Sequence, residues 1–183
     1  MQISLDKLCA MCDNVYSDDE HEVLMIGLQI TGGIKRDREL AEEIVWFCLE
    51  KMLPRHRTLD ITVRLIKTYE DGAKGFCYQG DDDRDFIIEV DHRLSRKESI
   101  DEFIDTICHE MIHVKQNAKK QLIDRYRWKK GQKPRYRKLW KCRDGKYRNY
   151  ENTNYWKQPW EVEAHRDSSK YVKEFKKEYY GYG

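Results

Sequence analysis

Two hydrophobic rhythms alternate along this chain. Over "DRELAEEIVWFCLEKML", Leu40, Ile44, Phe47 and Cys48, together with Lys51, recur on one side at steps of three and four, which predicts an amphipathic helix. Acids crowd its early turns, where the helix dipole favours them, and Pro54 ends it. The rhythm then shortens to two. "DITVRLIK" (residues 60–67) sets Ile61, Val63 and Leu65 against Thr62, Arg64 and Ile66, the alternation of a half-buried strand. "KGFCYQ" (74–79) and "RDFIIEV" (84–90) predict two more strands, joined by the acidic turn "GDDDR".

A helical period returns in "LSRKESIDEFIDTICHEMIHVKQ". Ser95 with Glu98, and Ser99 with Glu102, have the spacing of nested capping boxes and set a helix start there. Beyond Lys119 the pattern turns irregular, basic and aromatic. Within it "RKLWKCRDGKYRNYE" predicts a hairpin turning at Asp144-Gly145. "QPWEVEAHRDSSKYVKEFKKEYY" predicts a last helix, with Pro159 in its first turn and Val162, Val172, Phe175 and Tyr179 as apolar contacts. The first thirty residues carry little pattern beyond a short helix near residues 5–15.

This order predicts an α+β fold: a small three-stranded sheet packed on the helix that carries "HEMIH", followed by a hairpin and a C-terminal helix. A chain of 183 residues with no repeat and no Pro/Gly/Ser linker fits one domain over 1–183. Its parts are residues 34–119 (helix, sheet and second helix), 120–158 (basic aromatic insert) and 159–180 (C-terminal helix).

Composition narrows the setting. Charged residues make up 37% of the chain, and no apolar run reaches membrane-spanning length. The N-terminus lacks the basic start and apolar core of a secretory signal, so the expected home is cytoplasmic, with no membrane partner. Six cysteines without a signal read as free thiols rather than a disulfide framework. Cys9 and Cys12 form a C-x-x-C, but no second pair follows at zinc-ribbon spacing. Asp81, Asp83 and Asp85 open like a calcium loop; however, Phe86 stands where that loop needs Gly and His92 where it needs Glu, leaving a solvated turn. Charge is placed unevenly. Residues 114–150 hold fifteen Lys or Arg against two acids, an excess of thirteen, so with a net of +2 the rest of the chain is at −11. Such asymmetry suits a positive face toward an anionic partner, or one half balancing the other.

The chemistry concentrates in "CHEMIH" (108–113). At 100° per residue, Ile100, Phe103, Ile104, Ile107, Met111 and Val114 share a narrow arc, while His109 and His113 lie about 40° apart on the opposite side. They are not intruders in the apolar stripe. Imidazoles at i and i+4 stand one above the other and can take neighbouring corners of a zinc tetrahedron. Glu110 points to the flank, where its carboxylate could take a proton from zinc-bound water. A third ligand must come from elsewhere, and "PWEVEAH" offers Glu161, Glu163 and His165. On a helix from Pro159, Glu161 and His165 share a face and Glu163 points away. Glu161 is favoured as the ligand, with His165 the alternative or a hydrogen-bonding neighbour of a ligand.

"HEMIH" with the downstream "E-x-x-A-H" (Glu161, Ala164, His165) resembles the gluzincin branch of zinc metallopeptidases. In that branch a glutamate three residues before an alanine is the third ligand. Prenyl-protein endopeptidases and ImmA/IrrE-type proteases have a similar "E-x-x-A" followed by Asp or Asn, where this chain has His165. The layout over residues 35–175 also resembles the SprT-like and phage-encoded minimal metallopeptidases, although SprT-like proteins proper use a third histidine. The resemblance implies a zincin-like fold, a Zn2+ cofactor, and peptide-bond hydrolysis in a protein or peptide substrate.

The insert carries a second expectation. Residues 126–160 interleave tyrosines and tryptophans with Arg and Lys, as single-stranded nucleic-acid surfaces do. The competing reading is a hairpin over the cleft, with its aromatics as a small core and its lysines as a solvated face. Tyr150 and Tyr155 are candidate donors to the oxyanion of peptide hydrolysis. "FIIEV" is expected to be an edge strand holding substrate in extended form. The leading expectation is a zinc-dependent peptidase; the alternative is a non-catalytic zinc-stabilised protein that binds nucleic acid through residues 114–150.

Overall fold

Alternate burial along the strands decides which side of the sheet the helices cover. Ile61, Val63 and Leu65 on one strand and Phe86, Ile88 and Val90 on its neighbour are buried, while Thr62, Arg64, Ile87 and Glu89 between them are not. The computed structural model describes residues 26–67, 72–80, 82–127 and 135–181, with the backbone alone at 125–127 and 135–136. The helix predicted near residues 5–15 and the Cys9/Cys12 pair lie outside the described residues.

The elements run β1 (Gly27–Gly32), α1 (Lys35–Met52), β2 (Asp60–Ile66), β3 (Gly75–Gln79), β4 (Asp85–Asp91), α2 (Ile100–Ala118), β5 (Leu122–Arg127), β6 (Arg135–Lys141), β7 (Tyr147–Asn149) and α3 (Pro159–Tyr180). Short 3-10 turns precede α2 (His92–Ser95 and Lys97–Ser99) and α3 (Tyr155–Lys157). The fold is α+β, and its main sheet has four strands rather than the three expected, in the order β1-β2-β4-β3. The extra strand, "GLQITG", pairs in parallel with β2, Leu28 opposite Ile61 and Ile30 opposite Val63. β2 and β4 are also parallel, whereas β3 lies antiparallel on β4. This corrects the expectation for "FIIEV". It forms β4, an interior strand between β2 and β3, and the sheet edge nearest α2 is β3.

One hydrophobic core joins this sheet to α1, α2 and α3. From α1 come Ala41, Ile44, Val45 and Cys48; from α2 come Phe103, Ile104, Ile107 and Met111, all with no exposed surface. Phe175 of α3 meets Phe47 of α1 edge-on, with centroids 5.4 Å apart. The predicted capping boxes do not form. Ser99 does precede α2, but its hydroxyl donates to Leu94 O at 3.1 Å and caps nothing. The predicted hairpin is present as β6–β7, with Gly145 at φ 76° in the turn, a left-handed conformation that glycine adopts freely. It joins β5 in a second, three-stranded sheet. Among the described residues no helix is long and apolar enough to cross a membrane.

Two substitutions test where the core sits. Ile88→Ala removes a fully buried side chain and is expected to cost about 2–5 kcal/mol in urea unfolding. Trp46→Ala, at a residue 43% exposed on α1, is expected to stay within about 0.5 kcal/mol of the parent.

Candidate metal centre

Helix α2 is buried on both of its long faces, which explains why histidines outside the apolar stripe are still sheltered. Its apolar arc meets the sheet and α1; α3, running antiparallel, closes the other side. Salt bridges clamp the two helices at their ends, Lys176 to Asp101 at 2.8 Å and Lys115 to Glu163 at 2.5 Å. Between the clamps His109, His113, Glu110 and Glu161 are all under 10% exposed.

Helical spacing stacks the imidazoles so that their Nε2 atoms lie 3.2 Å apart. Glu161 arrives from α3 with Oε2 3.4 Å from His109 Nε2 and Oε1 3.6 Å from His113 Nε2. Donors bound at 2.0–2.1 Å to one tetrahedral zinc ion stand about 3.3–3.4 Å apart. The two imidazole nitrogens are that close to each other, and each is near that distance from one of the two Glu161 oxygens. Glu161 Oε2 is also fully buried with no hydrogen-bond partner among the described residues. A buried carboxylate oxygen left unpaired is costly, and a cation among these atoms would remove that cost. The donor set therefore fits a zinc ion. His109, His113 and Glu161 are the cluster of potential ligands that the described residues bring together.

The proton equilibria point the same way. Burial disfavours the ionised Glu161 carboxylate, but His109, His113 and Tyr155 beside it outweigh burial and hold its carboxyl well below the usual range. Burial likewise disfavours protonated His113, yet Glu161, Glu110 and Gln116 together raise its pKa above the ordinary value.

Glu110 has the opposite bias. Burial first, and Glu161 further, push its carboxyl above the usual range, against the pull of His113 and His109. It sits against the start of β3, where strand and helix approach closely. A Cβ at Gly75 would lie 2.7 Å from Thr106 Cγ2 and 3.2 Å from Glu110 Oε1. A side chain there would crowd Thr106 and press on this carboxylate, a role for glycine that no local pattern in "KGFCYQ" reveals. A second residue without a sequence signal is Gln116, fully buried, whose Oε1 lies 2.8 Å from His113 Nδ1 and whose Nε2 donates to Trp160 O at 3.0 Å.

The remaining candidates divide. Tyr155 is at the cluster: burial first, then its hydrogen bond to Glu161, raise its phenol pKa, so it stays protonated and able to donate. Tyr150 is elsewhere. Its hydroxyl lies 3.4 Å from Cys142 Sγ and its ring packs on Trp160, inside a small core with Leu122 and Trp140. Its contacts are with this core, and none to His109, His113, Glu110 or Glu161 is seen among the described residues. His165 is exposed and is not one of the converging donors; its ring lies between those of His109 and Trp156, with centroids 4.5 and 5.0 Å away. Burial and His109 lower its pKa, so it is neutral at neutral pH. Glu163 is occupied by Lys115 and Gln121.

The second sheet packs its aromatics on the N-terminal end of α3, Trp140 against Trp160 with centroids 6.4 Å apart. Between them and the helix is a cleft of about 730 Å3 whose lining includes Lys119, Trp140, Lys141, Arg143 and Arg166. It lies against Pro159, Val162, Glu163 and Arg166, the side of α3 turned away from Glu161 and His165. Lys119 donates to Met52 O and Arg166 pairs with Asp167, while Lys141 and Arg143 have no ion-pair partner among the described residues. Comparison with protein-family models, with curated proteins and with solved structures found no match.

The pKa directions predict a crossed pH dependence. In chelator-treated protein the depressed Glu161 carboxyl contributes stability that is present above its ordinary value and lost as acid protonates it. Raised His113 contributes below its ordinary value of about 6.5, and that contribution is lost as pH climbs through the raised one. Zinc needs His113 Nε2 free, so its affinity should rise over that same upper range; thermal unfolding and zinc titrations across pH check both. Gly75→Ala should keep the fold but displace Glu110, lowering any activity that uses Glu110 more than it lowers zinc affinity.

Proposed function

We propose that this chain is a zinc-dependent peptidase of zincin-like architecture, in which His109, His113 and Glu161 hold the metal. The observation that carries the reading is the convergence of two imidazole nitrogens and the two oxygens of the Glu161 carboxylate at 3.2–3.6 Å, with Oε2 buried and without a hydrogen-bond partner among the described residues, beside a second buried carboxylate with raised proton affinity. Zinc supplies a Lewis acid and lowers the pKa of water.

The protein's residues then have distinct tasks. Glu110 takes the proton of the attacking water and passes it to the leaving amine as the C–N bond breaks. A carboxylate with elevated pKa suits both halves of that transfer. Tyr155, held protonated, donates to the substrate oxygen that gains charge. β3 is the edge of its sheet, and its Gly75 abuts Glu110, so a peptide added to that edge as a further strand would run past the carboxylate. His165, neutral and with its ring tilted against those of His109 and Trp156, forms an exposed aromatic wall next to the centre. This reading sets the chain beside the SprT-like and phage-encoded minimal metallopeptidases, with Glu161 in place of their third histidine.

The basic cleft favours a second reading, a non-catalytic zinc-stabilised protein that binds single-stranded nucleic acid. Lys141 and Arg143 line it without ion-pair partners among the described residues. Its small aromatic core, however, uses Trp140, Trp160 and Tyr150 as packing rather than as exposed stacking platforms.

One pair of experiments separates the readings. Glu110→Gln should retain about one zinc per chain and lose about 100- to 10,000-fold in peptide hydrolysis, whereas Glu161→Ala should lose the metal. Retained hydrolysis in Glu110→Gln would refute the role given to that residue. On the second reading, fluorescence anisotropy with an oligo-dT strand would show affinity that falls steeply with salt, is weakened by Lys141→Glu with Arg143→Glu, and ignores Glu110→Gln.

A further inference from the structure

An amide buried as completely as that of Gln116 must satisfy both its ends, and here one end decides the other. The Trp160 carbonyl can only accept, so the group 3.0 Å from it must be the amide nitrogen. That turns Oε1 toward His113 Nδ1, 2.8 Å away. Oε1 is also only an acceptor, so Nδ1 must carry hydrogen. A neutral imidazole has a single N–H, which leaves Nε2 with its lone pair. Nε2 is the atom 3.2 Å from His109 Nε2 and 3.6 Å from Glu161 Oε1.

We infer that Gln116 is a positioning residue: it sets the metal-binding tautomer of His113 and, through the Trp160 carbonyl, ties α2 to the turn of α3 that presents Glu161. The inference rests on the metal-centre reading above. One side chain thus aligns two of the three donors, from two helices. Trp160 is itself held from its far side by Trp140 and Tyr150, so the carbonyl that orients the amide belongs to a packed residue. The choice of an amide over a carboxylate also follows from charge. A carboxylate behind an imidazole raises ligand basicity but adds negative charge, and this centre already buries Glu110 and Glu161. Gln116 orients the ring without adding a third.

The test uses the full chain as wild type, Gln116→Leu and Gln116→Glu. Zinc affinity is measured by competition with a chromophoric chelator, and the protonated nitrogen of His113 by nitrogen–proton correlation NMR at alkaline pH without zinc. Gln116→Leu should bind zinc about 10- to 100-fold more weakly. Gln116→Glu keeps an acceptor for Nδ1 but loses the donor to Trp160 O, so its zinc affinity should fall between those of Gln116→Leu and wild type. Zinc-free wild type should carry its His113 proton on Nδ1, and Gln116→Leu should shift it toward Nε2. Wild-type zinc affinity in Gln116→Leu, or a proton on Nε2 in the wild type, overturns the inference. A Gln116→Glu as weak as Gln116→Leu overturns the tautomer role. If Gln116→Leu does not fold, the wild-type spectrum and Gln116→Glu decide. A wild type with Nδ1 protonated that binds no zinc sinks the metal reading and leaves the assignment of Gln116 standing.

Discussion

The Glu161 carboxylate is pressed between two imidazole nitrogens in a space that water barely reaches, and the arrangement of the three helices depends on how that contact is resolved. Low-dielectric surroundings make attraction and repulsion there stronger than at a surface. Lone pairs converging on one point repel unless a positive charge sits among them. The shared core of α2 and α3, with Lys115–Glu163 and Lys176–Asp101 across their ends, opposes the separation of the helices that would let the donors move apart. A cation among these atoms would relieve that repulsion, as the proposed metal reading requires.

Around that point the fold assigns one side of α2 to stability and the other to chemistry. Ile107, Met111 and Phe103 bury into the sheet and α1, which fixes the rotation of the helix. Rotation in turn aims His109 and His113 at α3 and leaves Glu110 on the flank beside Gly75. The buried Cys48 and Cys108, with sulfurs 3.8 Å apart, belong to this packing side; burial raises the Cys48 pKa well above the usual range, as expected of an inert thiol.

The basic insert has a structural part that its charge conceals. Leu122, Trp140 and Trp160 form a second small core, and this core braces the first turn of α3 where Glu161 resides. Lys138, Lys141 and Arg143 of β6 and the following turn are exposed around it. A strongly charged segment thus supports the candidate site through its few apolar residues, while Lys141 and Arg143 line the cleft on the other side of α3.

What was legible in the sequence was set by geometry within a few residues. The i, i+4 pairing of His109 and His113, the flank position of Glu110, the shared face of Glu161 and His165, and the hairpin at Gly145 all follow from local backbone periodicity. Other features needed partners far along the chain. β1 escaped because "GLQITG" is short and lies between glycines; its pairing with β2 spans some thirty residues. "FIIEV" looked like an edge strand, but β2 and β3 claim its two sides. The serine of a plausible capping box gave its hydroxyl to Leu94. Tyr150 and Tyr155 were equivalent by position, and packing on Trp160 against contact with Glu161 separated them. Gly75 and Gln116 matter only because a strand passes Glu110 and a carbonyl passes the amide. Periodicity specifies which way a side chain leaves its own helix or strand. Which groups meet there is decided by packing between elements, a distance that no stretch of sequence contains.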